Sequence, residues 1–480
     1  MRYKGSVFSN ILVINILVMD FVLLIYNLGL KDFLISKFAF RETIDKIYYT
    51  NIFSNFDLAI SIYILLCIIL LMKYRAILDL INRTSIKYVL LFCLIISSLL
   101  QILFIPLFNT QPISDSVFYI TLGERLYQTN EYKSNYGHFT AYWPVGLPFL
   151  LMLLHHVTSN IITFYKLFAI LISLGTINIL YRIFKDELSE NQLKFFLLAW
   201  TFFPNNLLAT NVILTDYIFL FLLFLACFIL LKTKFSSLMK LVIIGVLIGL
   251  SSYFRPTGLL LPLLFGISYY KRGVLSAVKN TLIISIFVLI TLSPWIVRNY
   301  MVFGSFVPVA TNGGYNFLMG NHETSTGALN FNFRYDHSNP DEPLEDRRAY
   351  LKGMGDSFNN PAKTLIRLPK KILISYLRGD SSITWAFKKS ANTIPPLIIS
   401  LFFIITNLTF YNIILISLFT FFRKKTLKFK SNYIWISLFT YFIILILIYV
   451  GGERYIIPIL PLHFLYFAKY CSSISISLSS

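Results

Sequence analysis

YVLLFCLIISSLLQILFIPLF occupies residues 88–108, and Asp115 lies seven residues beyond its end, at the start of a polar, aromatic stretch. The apolar run is long enough for a helix to cross a bilayer, because about 20 apolar residues span the hydrocarbon core. The run therefore predicts a transmembrane helix with a carboxylate just outside the membrane. A carboxylate at that position can act as a general base towards a substrate carried by a lipid.

Apolar runs of this kind recur along all 480 residues, of which 56% are hydrophobic and 13% charged. We therefore predict an all-α polytopic integral membrane protein with about 12 transmembrane helices. The predicted crossings lie near residues 7–29, 57–74, 88–108, 161–184, 194–213, 216–232, 239–254, 257–270, 280–298, 395–421, 432–450 and 455–472. The first run is too long for a signal peptide and lacks a small-x-small cleavage site, which indicates an uncleaved anchor.

The net charge of +20 comes largely from basic residues in short loops between these runs, at 73–87, 232–240, 271–273 and 423–430. Such loops are typical of the cytoplasmic side of a membrane protein, so the charge does not indicate a nucleic-acid partner. The apolar segment 144–158 is short and contains two prolines. If it crossed, the basic loops would no longer share one side, so we predict that it dips into the outer leaflet.

This topology divides the chain into four parts. Residues 1–87 form an added N-terminal transmembrane hairpin, and residues 88–298 form a core whose first extracytoplasmic loop, 109–160, carries amphipathic helices. Residues 299–392 form a long late extracytoplasmic loop, and residues 393–480 form the C-terminal transmembrane helices. The four cysteines fall in or beside apolar runs without paired spacing, so they predict neither a disulfide framework nor a zinc site.

Two acids and three arginines lie at predicted extracytoplasmic corners of the chain: Asp115, Asp216, Arg255, Arg298 and Arg454. Ionised groups are costly at membrane depth and gather at helix ends and cavities. Acids and cations at one membrane depth suit an enzyme that deprotonates a hydroxyl and holds a phosphate. An interfacial cap for either acid, and snorkelling for Arg298, are the alternative interpretations.

Short motifs accompany these residues in a fixed order over residues 88–460. They are Asp115 with Tyr119, Tyr142-Trp143-Pro144, Thr215-Asp216, Arg255-Pro256-Thr257-Gly258, Pro294-Trp295 with Arg298-Asn299, Gly320-Asn321, and Glu453-Arg454-Tyr455. In these motifs the chain resembles the GT-C superfamily of membrane glycosyltransferases. Within it, the chain is similar to the protein mannosyltransferase-like group, glycosyltransferase family 39, with aminoarabinose and lipopolysaccharide-core sugar transferases as relatives. The N-terminal hairpin is outside this resemblance.

The resemblance implies a multi-pass protein of the cell membrane whose active site faces the extracytoplasmic side. It implies transfer of a sugar from a polyprenyl-phosphate carrier, within the membrane lipid, to a hydroxyl of a lipid, glycan or protein in the cell envelope. The family's catalytic carboxylate corresponds to Asp115, the base of an inverting displacement, and a second acid corresponds to Asp216. For the donor phosphate, we expect Arg255, Arg454 and Arg298.

Six further residues are candidates to line the substrate: Tyr119, Glu124, His138, Tyr142, Trp143 and Asn321. Each has an ordinary alternative; Glu124, for example, can simply lie on an interfacial helix, and Trp143 can belong to an aromatic belt. Many relatives have a second acid directly after the first, whereas this chain has Ser116, which disfavours a two-carboxylate metal grip. We expect no required cofactor, and a divalent cation is left open.

Two other classes of protein stay open. A transporter or lipid flippase would also have about twelve spans, and Pro204-Asn205-Asn206, which interrupts a core span, is the most transporter-like feature. A polysaccharide polymerase or ligase acting on a lipid diphosphate oligosaccharide would also have a long loop with arginines, as found at 334–378. The acid in the first core loop favours the transferase.

Overall fold

Helices make up nearly all the regular structure of the protein. A computed structural model describes residues 7–26, 43–270, 273–328, 339–422 and 432–473. The first helices are α1 (Val7–Ile25), α2 (Thr43–Ser54), α3 (Phe56–Arg83), α4 (Ile86–Phe108), α5 (Asp115–Thr129), α6 (Gly146–His155), α7 (Ile161–Phe184), α8 (Glu190–Thr201), α9 (Pro204–Ala209) and α10 (Asp216–Lys232). The later helices are α11 (Ser237–Phe254), α12 (Leu261–Ile267), α13 (Val274–Phe303), α14 (Gly313–Asn321), α15 (Glu342–Asn359), α16 (Pro361–Tyr376), α17 (Ser381–Phe387), α18 (Pro396–Phe422), α19 (Asn432–Ile448) and α20 (Leu460–Ser473). Short 3-10 segments at Pro256–Leu260 and Glu453–Ile459 precede α12 and α20.

Six helices in the described ranges are long and apolar enough to cross a membrane, namely α3, α4, α7, α11, α13 and α18. The longest, α13, has 30 residues, or about 45 Å at 1.5 Å per residue. Shorter apolar helices accompany them, so several of the predicted crossings are short or broken. The all-α, multi-pass membrane class predicted from the sequence is confirmed.

The predicted crossing at 194–213 is two helices, α8 and α9. Pro204 begins α9, because proline has no N–H to continue the ladder of the preceding helix. Asn206 lies in the break, where its Nδ2 donates to the Trp200 carbonyl at 2.9 Å and its Oδ1 accepts from the Tyr217 hydroxyl at 2.9 Å. The break is thus held by hydrogen bonds within the protein.

Helices α11 and α13 pack closely because α11 presents two glycines one turn apart. A Cβ at Gly245 would lie 2.8 Å from the Ile284 carbonyl oxygen, and a Cβ at Gly249 would lie 2.6 Å from the Cβ of Thr291. Small residues four apart let two helix backbones approach in a membrane protein. This contact fixes the end of α11, from which Arg255 projects.

In the part of the chain predicted to be an N-terminal hairpin, α2 and α3 pack against α18. The Asn51 amide donates to the Ala391 carbonyl at 2.6 Å, and Arg378 donates to the Tyr49 hydroxyl at 2.6 Å. Of the basic loops, residues 423–430 and 271–272 lie outside the described residues, as do residues 329–338 of the late loop, including Arg334.

The first core loop folds into α5 and α6, which pack against each other at Gly123, where a Cβ would lie 2.9 Å from the Pro148 carbonyl oxygen. With ten residues, α6 is about 15 Å long and too short to cross a bilayer. The chain leaves α4 at Asn109, which adopts a left-handed conformation with φ of 40°. This turn leads directly to Asp115 at the start of α5.

Candidate active site

Two carboxylates occupy the first turns of helices. Asp115 is the first residue of α5 and Asp216 is the first residue of α10. The positive end of the helix dipole favours a carboxylate at each position. Asp216 is fully buried, with 1% of its side chain exposed, whereas 23% of the Asp115 side chain is exposed. Only Asp115 is therefore open to a substrate hydroxyl.

Two arginines join these carboxylates into one cluster, which we call the ion cluster: Asp115, Arg454, Asp216 and Arg255. Arg454 Nη1 lies 2.8 Å from Asp115 Oδ2, and Arg454 Nη2 lies 2.9 Å from Asp216 Oδ2. Arg255 Nη1 pairs with the other oxygen of Asp216. Charges of opposite sign alternate along the cluster and sum to zero, which offsets the cost of burying these ionised groups.

The two arginines use their donors very differently. A guanidinium has five N–H donors. Three donors of Arg454 hydrogen-bond to the two aspartates. In the described part of the chain one donor of Arg255 hydrogen-bonds to Asp216, so four donors of Arg255 have no partner. Burial, together with the neighbouring charge of Arg454, lowers the pKa of Arg255 to about 10, so it stays protonated at neutral pH. An incoming anion would therefore find free donors and an incompletely neutralised cation.

Aromatic rings hold these guanidinium groups in place. The Trp385 ring lies 4.9 Å from the Cζ of Arg454, and the Tyr455 ring lies 5.8 Å from the Cζ of Arg255. Tyr119 is buried beside them, and burial, followed by the charge of Asp115, raises the pKa of its hydroxyl. Sequence reasoning missed Trp385; the one available signal was an isolated tryptophan in a polar loop segment, SSITWAF.

An apolar cleft opens at the ion cluster. It encloses ≈ 500 Å³, including the space at its mouth, and reaches Asp216 and Arg454 at one end. Its apolar wall includes Ile172 of α7, Val212 of the segment between α9 and α10, and Ile218 of α10. We call it the donor cleft. Its chemistry suits a ligand with an apolar body and an anionic head.

Arg298 belongs to a different network. Its guanidinium donates to the carbonyl oxygens of Thr140 at 2.8 Å and Tyr132 at 2.9 Å, and lies 4.7 Å from the Trp295 ring. Arg298 thus stabilises the first core loop, and among the described residues it forms no ion pair with Asp115 or Asp216.

The other candidates in the first core loop make mainly local contacts. Glu124 is exposed and accepts from Gln128 at 3.2 Å, and the His138 ring contacts the Ser134 hydroxyl at 3.1 Å. Trp143 stacks on Phe118 at 5.3 Å and meets the rings of Tyr119 and Tyr142 edge-on. Trp143 therefore borders the ion cluster through Tyr119. Neither Glu124 nor His138 hydrogen-bonds to a residue of the ion cluster in the part of the chain that the structure describes.

Asn321 lies in the late loop, where it binds backbone and lysine instead of the ion cluster. Its Nδ2 donates to the carbonyl oxygens of Phe317 and Ile448, both at 2.8 Å, and its Oδ1 accepts from Lys371 Nζ at 2.9 Å. The structure therefore places Asn321 at the junction of α14, α16 and α19.

Metal ligation was left open by the sequence. Within the described residues no three His, Cys, Asp or Glu side chains converge to hold a metal ion. Both oxygens of Asp216 and one of Asp115 already accept from arginines. A divalent cation bound between the aspartates would have to displace a guanidinium. The second Asp115 oxygen accepts only from the Ser114 hydroxyl, at 3.2 Å, among the described groups.

No protein-family model matches the chain, and no curated protein sequence matches it. Among solved structures it is similar to the oligosaccharyltransferase of Archaeoglobus fulgidus, with 11% identity and a TM-score of 0.46. That match covers 82% of this chain and 51% of the other, so the chain spans about half the length of that protein. It is also similar to ArnT of Cupriavidus metallidurans bound to undecaprenyl phosphate, with 10% identity, a TM-score of 0.40, and coverage of 80% and 77%. Both identities are far below 25%, so these likenesses concern the fold alone.

Proposed function

We propose that this protein is a glycosyltransferase that moves a sugar from a polyprenyl-phosphate carrier to an acceptor hydroxyl. The observation that carries the proposal is the ion cluster, in which an accessible carboxylate and a cation with free donors meet beside an apolar cleft. We further propose that the reaction occurs at the extracytoplasmic face of the cell membrane, because the predicted cytoplasmic loops are basic.

The donor would bind with its phosphate at Arg255 and Arg454 and its first isoprene units in the donor cleft. Four unused N–H groups on Arg255 can meet phosphate oxygens, and a guanidinium fits an oxyanion in bidentate geometry. Charge also develops on the phosphate when the bond to the sugar breaks. Removing one such preorganised contact typically raises a barrier by about 3 kcal/mol.

Asp115 would act as the general base. The carboxylate oxygen that is not paired with Arg454 takes the proton of the acceptor hydroxyl as the hydroxyl oxygen bonds the anomeric carbon of the sugar. The bond from the anomeric carbon to the phosphate oxygen breaks on the opposite face, which inverts the configuration. Polyprenyl phosphate leaves as a stable anion, so no general acid is needed.

Asp216 would position the arginines. Its two oxygens bind Arg255 and Arg454 at the same time, and its burial leaves no room for an acceptor hydroxyl. Arg454 also holds Asp115. When Arg454 donates to the phosphate of the bound donor, its ion pair with Asp115 would weaken. The Asp115 carboxylate would then be more available as a base once the donor is bound.

The proposal is tested by release of radiolabel from a panel of polyprenyl-phosphate sugars by purified protein in lipid. We expect turnover with one donor and a loss of about 10²- to 10⁴-fold in Asp115→Asn. Glu124→Gln is the matched control, because it neutralises an exposed carboxylate on the same helix and should keep wild-type turnover. Equal turnover in Asp115→Asn and wild type would remove Asp115 as the base.

A further inference from the structure

A second cleft lies on the other side of the segment that leads to Asp216. Ala209, Thr210 and Leu214 of this segment line the donor cleft, whereas Asn211 and Ile213 face the second cleft, and Val212 borders both. The second cleft encloses ≈ 240 Å³, including its mouth. Its most unusual polar groups are Lys166 and Asn211.

Lys166 is a buried cation with only neutral partners. Its side chain on α7 is 4% exposed, and its Nζ donates to the hydroxyl of Thr110 at 2.9 Å and to the Thr110 carbonyl at 3.4 Å. No carboxylate pairs with it among the described residues. Burying an unpaired ammonium is unfavourable, so this position is not explained by packing alone.

Two other buried lysines each donate to three acceptor atoms, whereas Lys166 has two, both on Thr110. Lys194, 2% exposed, lies 3.1 Å from a carboxylate oxygen of Glu190. Lys371, also buried, donates to Asn321 Oδ1 and to the carbonyls of Leu447 and Ile448. Against these, Lys166 has the weakest compensation for its charge.

Asn211 adds an independent observation. Its side chain is 3% exposed, and neither its Nδ2 nor its Oδ1 has a hydrogen-bond partner among the described residues. Buried amides are almost always bonded, so an amide with both ends free marks a place for a ligand or water. The Thr110 hydroxyl donates to the backbone carbonyl of Asn211 at 2.8 Å while it accepts from Lys166, so Thr110 links Lys166 to the backbone of Asn211, and both residues line the second cleft.

The second cleft adjoins the proposed base. Ser116, the neighbour of Asp115, forms part of its wall, and so does Trp385, on which Arg454 rests. Exposed Gln111 lies at its mouth. A group bound by Lys166 would therefore hold the rest of its molecule close to Asp115, on the face away from the donor cleft.

We propose that Lys166 and Asn211 form a phosphate-binding site that anchors a phosphomonoester of the acceptor. The assignment of this phosphomonoester to the acceptor rests on the function proposed above, whereas the binding site itself does not. The ammonium and Nδ2 supply donors for anionic oxygens, and Oδ1 requires a hydrogen from the ligand. A phosphomonoester provides both, because its second pKa is near 6 and it keeps a P–OH in part of the population. A carboxylate provides acceptors only.

The test measures thermal stabilisation of purified protein by inorganic phosphate at pH 6.5, with chloride at equal ionic strength as the reference. The Arg255→Gln background removes most phosphate binding at the ion cluster. In that background we expect stabilisation by phosphate, and at least a tenfold weaker response after Lys166→Met or Asn211→Leu. Lys194→Met, a buried lysine already paired with Glu190, is the matched control and should keep the response.

Each variant also has an expected behaviour without phosphate. Removing an uncompensated buried charge or an unpaired amide should leave the apparent melting temperature of Lys166→Met and Asn211→Leu equal to wild type or higher. A melting temperature that falls in both variants would show a structural role and overturn the proposal. Absence of a phosphate-specific rise in the Arg255→Gln background would overturn it as well.

The source of the phosphate is distinguished by a second arm with vesicles containing phosphatidic acid. Stabilisation by inorganic phosphate alone indicates a soluble or glycan phosphomonoester, and stabilisation by phosphatidic acid at far lower concentration indicates a lipid one. Retention of the phosphate response with no sugar transfer from any donor would refute the proposed function while leaving the site standing. Transfer with unchanged acceptor KM in Lys166→Met would refute the acceptor assignment.

Discussion

Replacing Asp216 by asparagine should damage the protein far more than the same change at Asp115, although each removes one negative charge. Asp216 is 1% exposed and accepts from both Arg255 and Arg454. Removing one partner of a buried charge pair costs about 3–5 kcal/mol, because the remaining charge is left uncompensated. Asp115 is 23% exposed with one ion pair, so its replacement should cost about 1 kcal/mol or less.

The two variants are compared by thermal denaturation in detergent and by binding of a polyprenyl-phosphate lipid. Asp216→Asn should melt several degrees below wild type and bind the lipid weakly, because both arginines lose their common anchor. Asp115→Asn should resemble wild type in both measurements and lose turnover. The reasoning would be refuted if Asp216→Asn melted like wild type and bound the lipid normally, or if the two variants were equally destabilised.

Three further predictions concern Arg255, Asp346 and two glycines. Arg255→Lys keeps the charge but loses the bidentate donor geometry, so donor turnover should fall by about 100-fold, or about 3 kcal/mol, with unchanged folding by circular dichroism; wild-type turnover would exclude a role in binding phosphate. Burial raises the pKa of Asp346 to about 6, so the folded state holds this proton more tightly than the unfolded chain does. Its contribution is therefore full below pH 3.8 and lost as the pH rises to 6, by about 1–3 kcal/mol. The melting temperature of wild type relative to Asp346→Asn should fall across that range, and a constant difference would contradict the assignment. Gly320→Ala should lower the melting temperature, because the added Cβ would overlap the Tyr449 carbonyl, whereas Gly355→Ala, which meets nothing within 4 Å, should raise it by the equivalent of about 1 kcal/mol; equal effects would contradict the packing argument.

The sequence predicted the class of fold well because long apolar runs leave little choice of structure in a membrane. The end of α4 at Phe108 and the start of α10 at Asp216 agree with the predicted runs 88–108 and 216–232. Broken segments were less predictable. The 3-10 turns at Pro256–Leu260 and Glu453–Ile459 shorten two predicted crossings, since the length of an apolar run does not show where its hydrogen-bond ladder changes.

The candidate site was predictable only in its charged residues. Ionised residues are energetically costly within a membrane, so charged residues at the ends of apolar runs can be recognised in the sequence. Four such residues, far apart in the sequence, meet in the ion cluster. Trp385 and Asn211 were not predictable. A tryptophan in a predicted loop and an asparagine near a predicted membrane boundary are common in sequences. Their significance depends on the contact of Trp385 with the Arg454 guanidinium and on the two unpaired side-chain atoms of Asn211.

Arg255 and Arg298 show why partners, and not position, decide the role of a charged residue. Both were predicted at similar extracytoplasmic corners of the chain. Arg298 donates to two backbone carbonyls and to the Asn299 amide oxygen, so three of its five N–H donors bond to the chain itself among the described residues. Arg255 faces one shared carboxylate and keeps four donors. A partly buried cation that gives most of its donors to backbone and amide oxygens stabilises a loop, whereas one with four free donors can still bind an anion, and this difference favours Arg255 over Arg298 as the residue proposed to hold the donor phosphate.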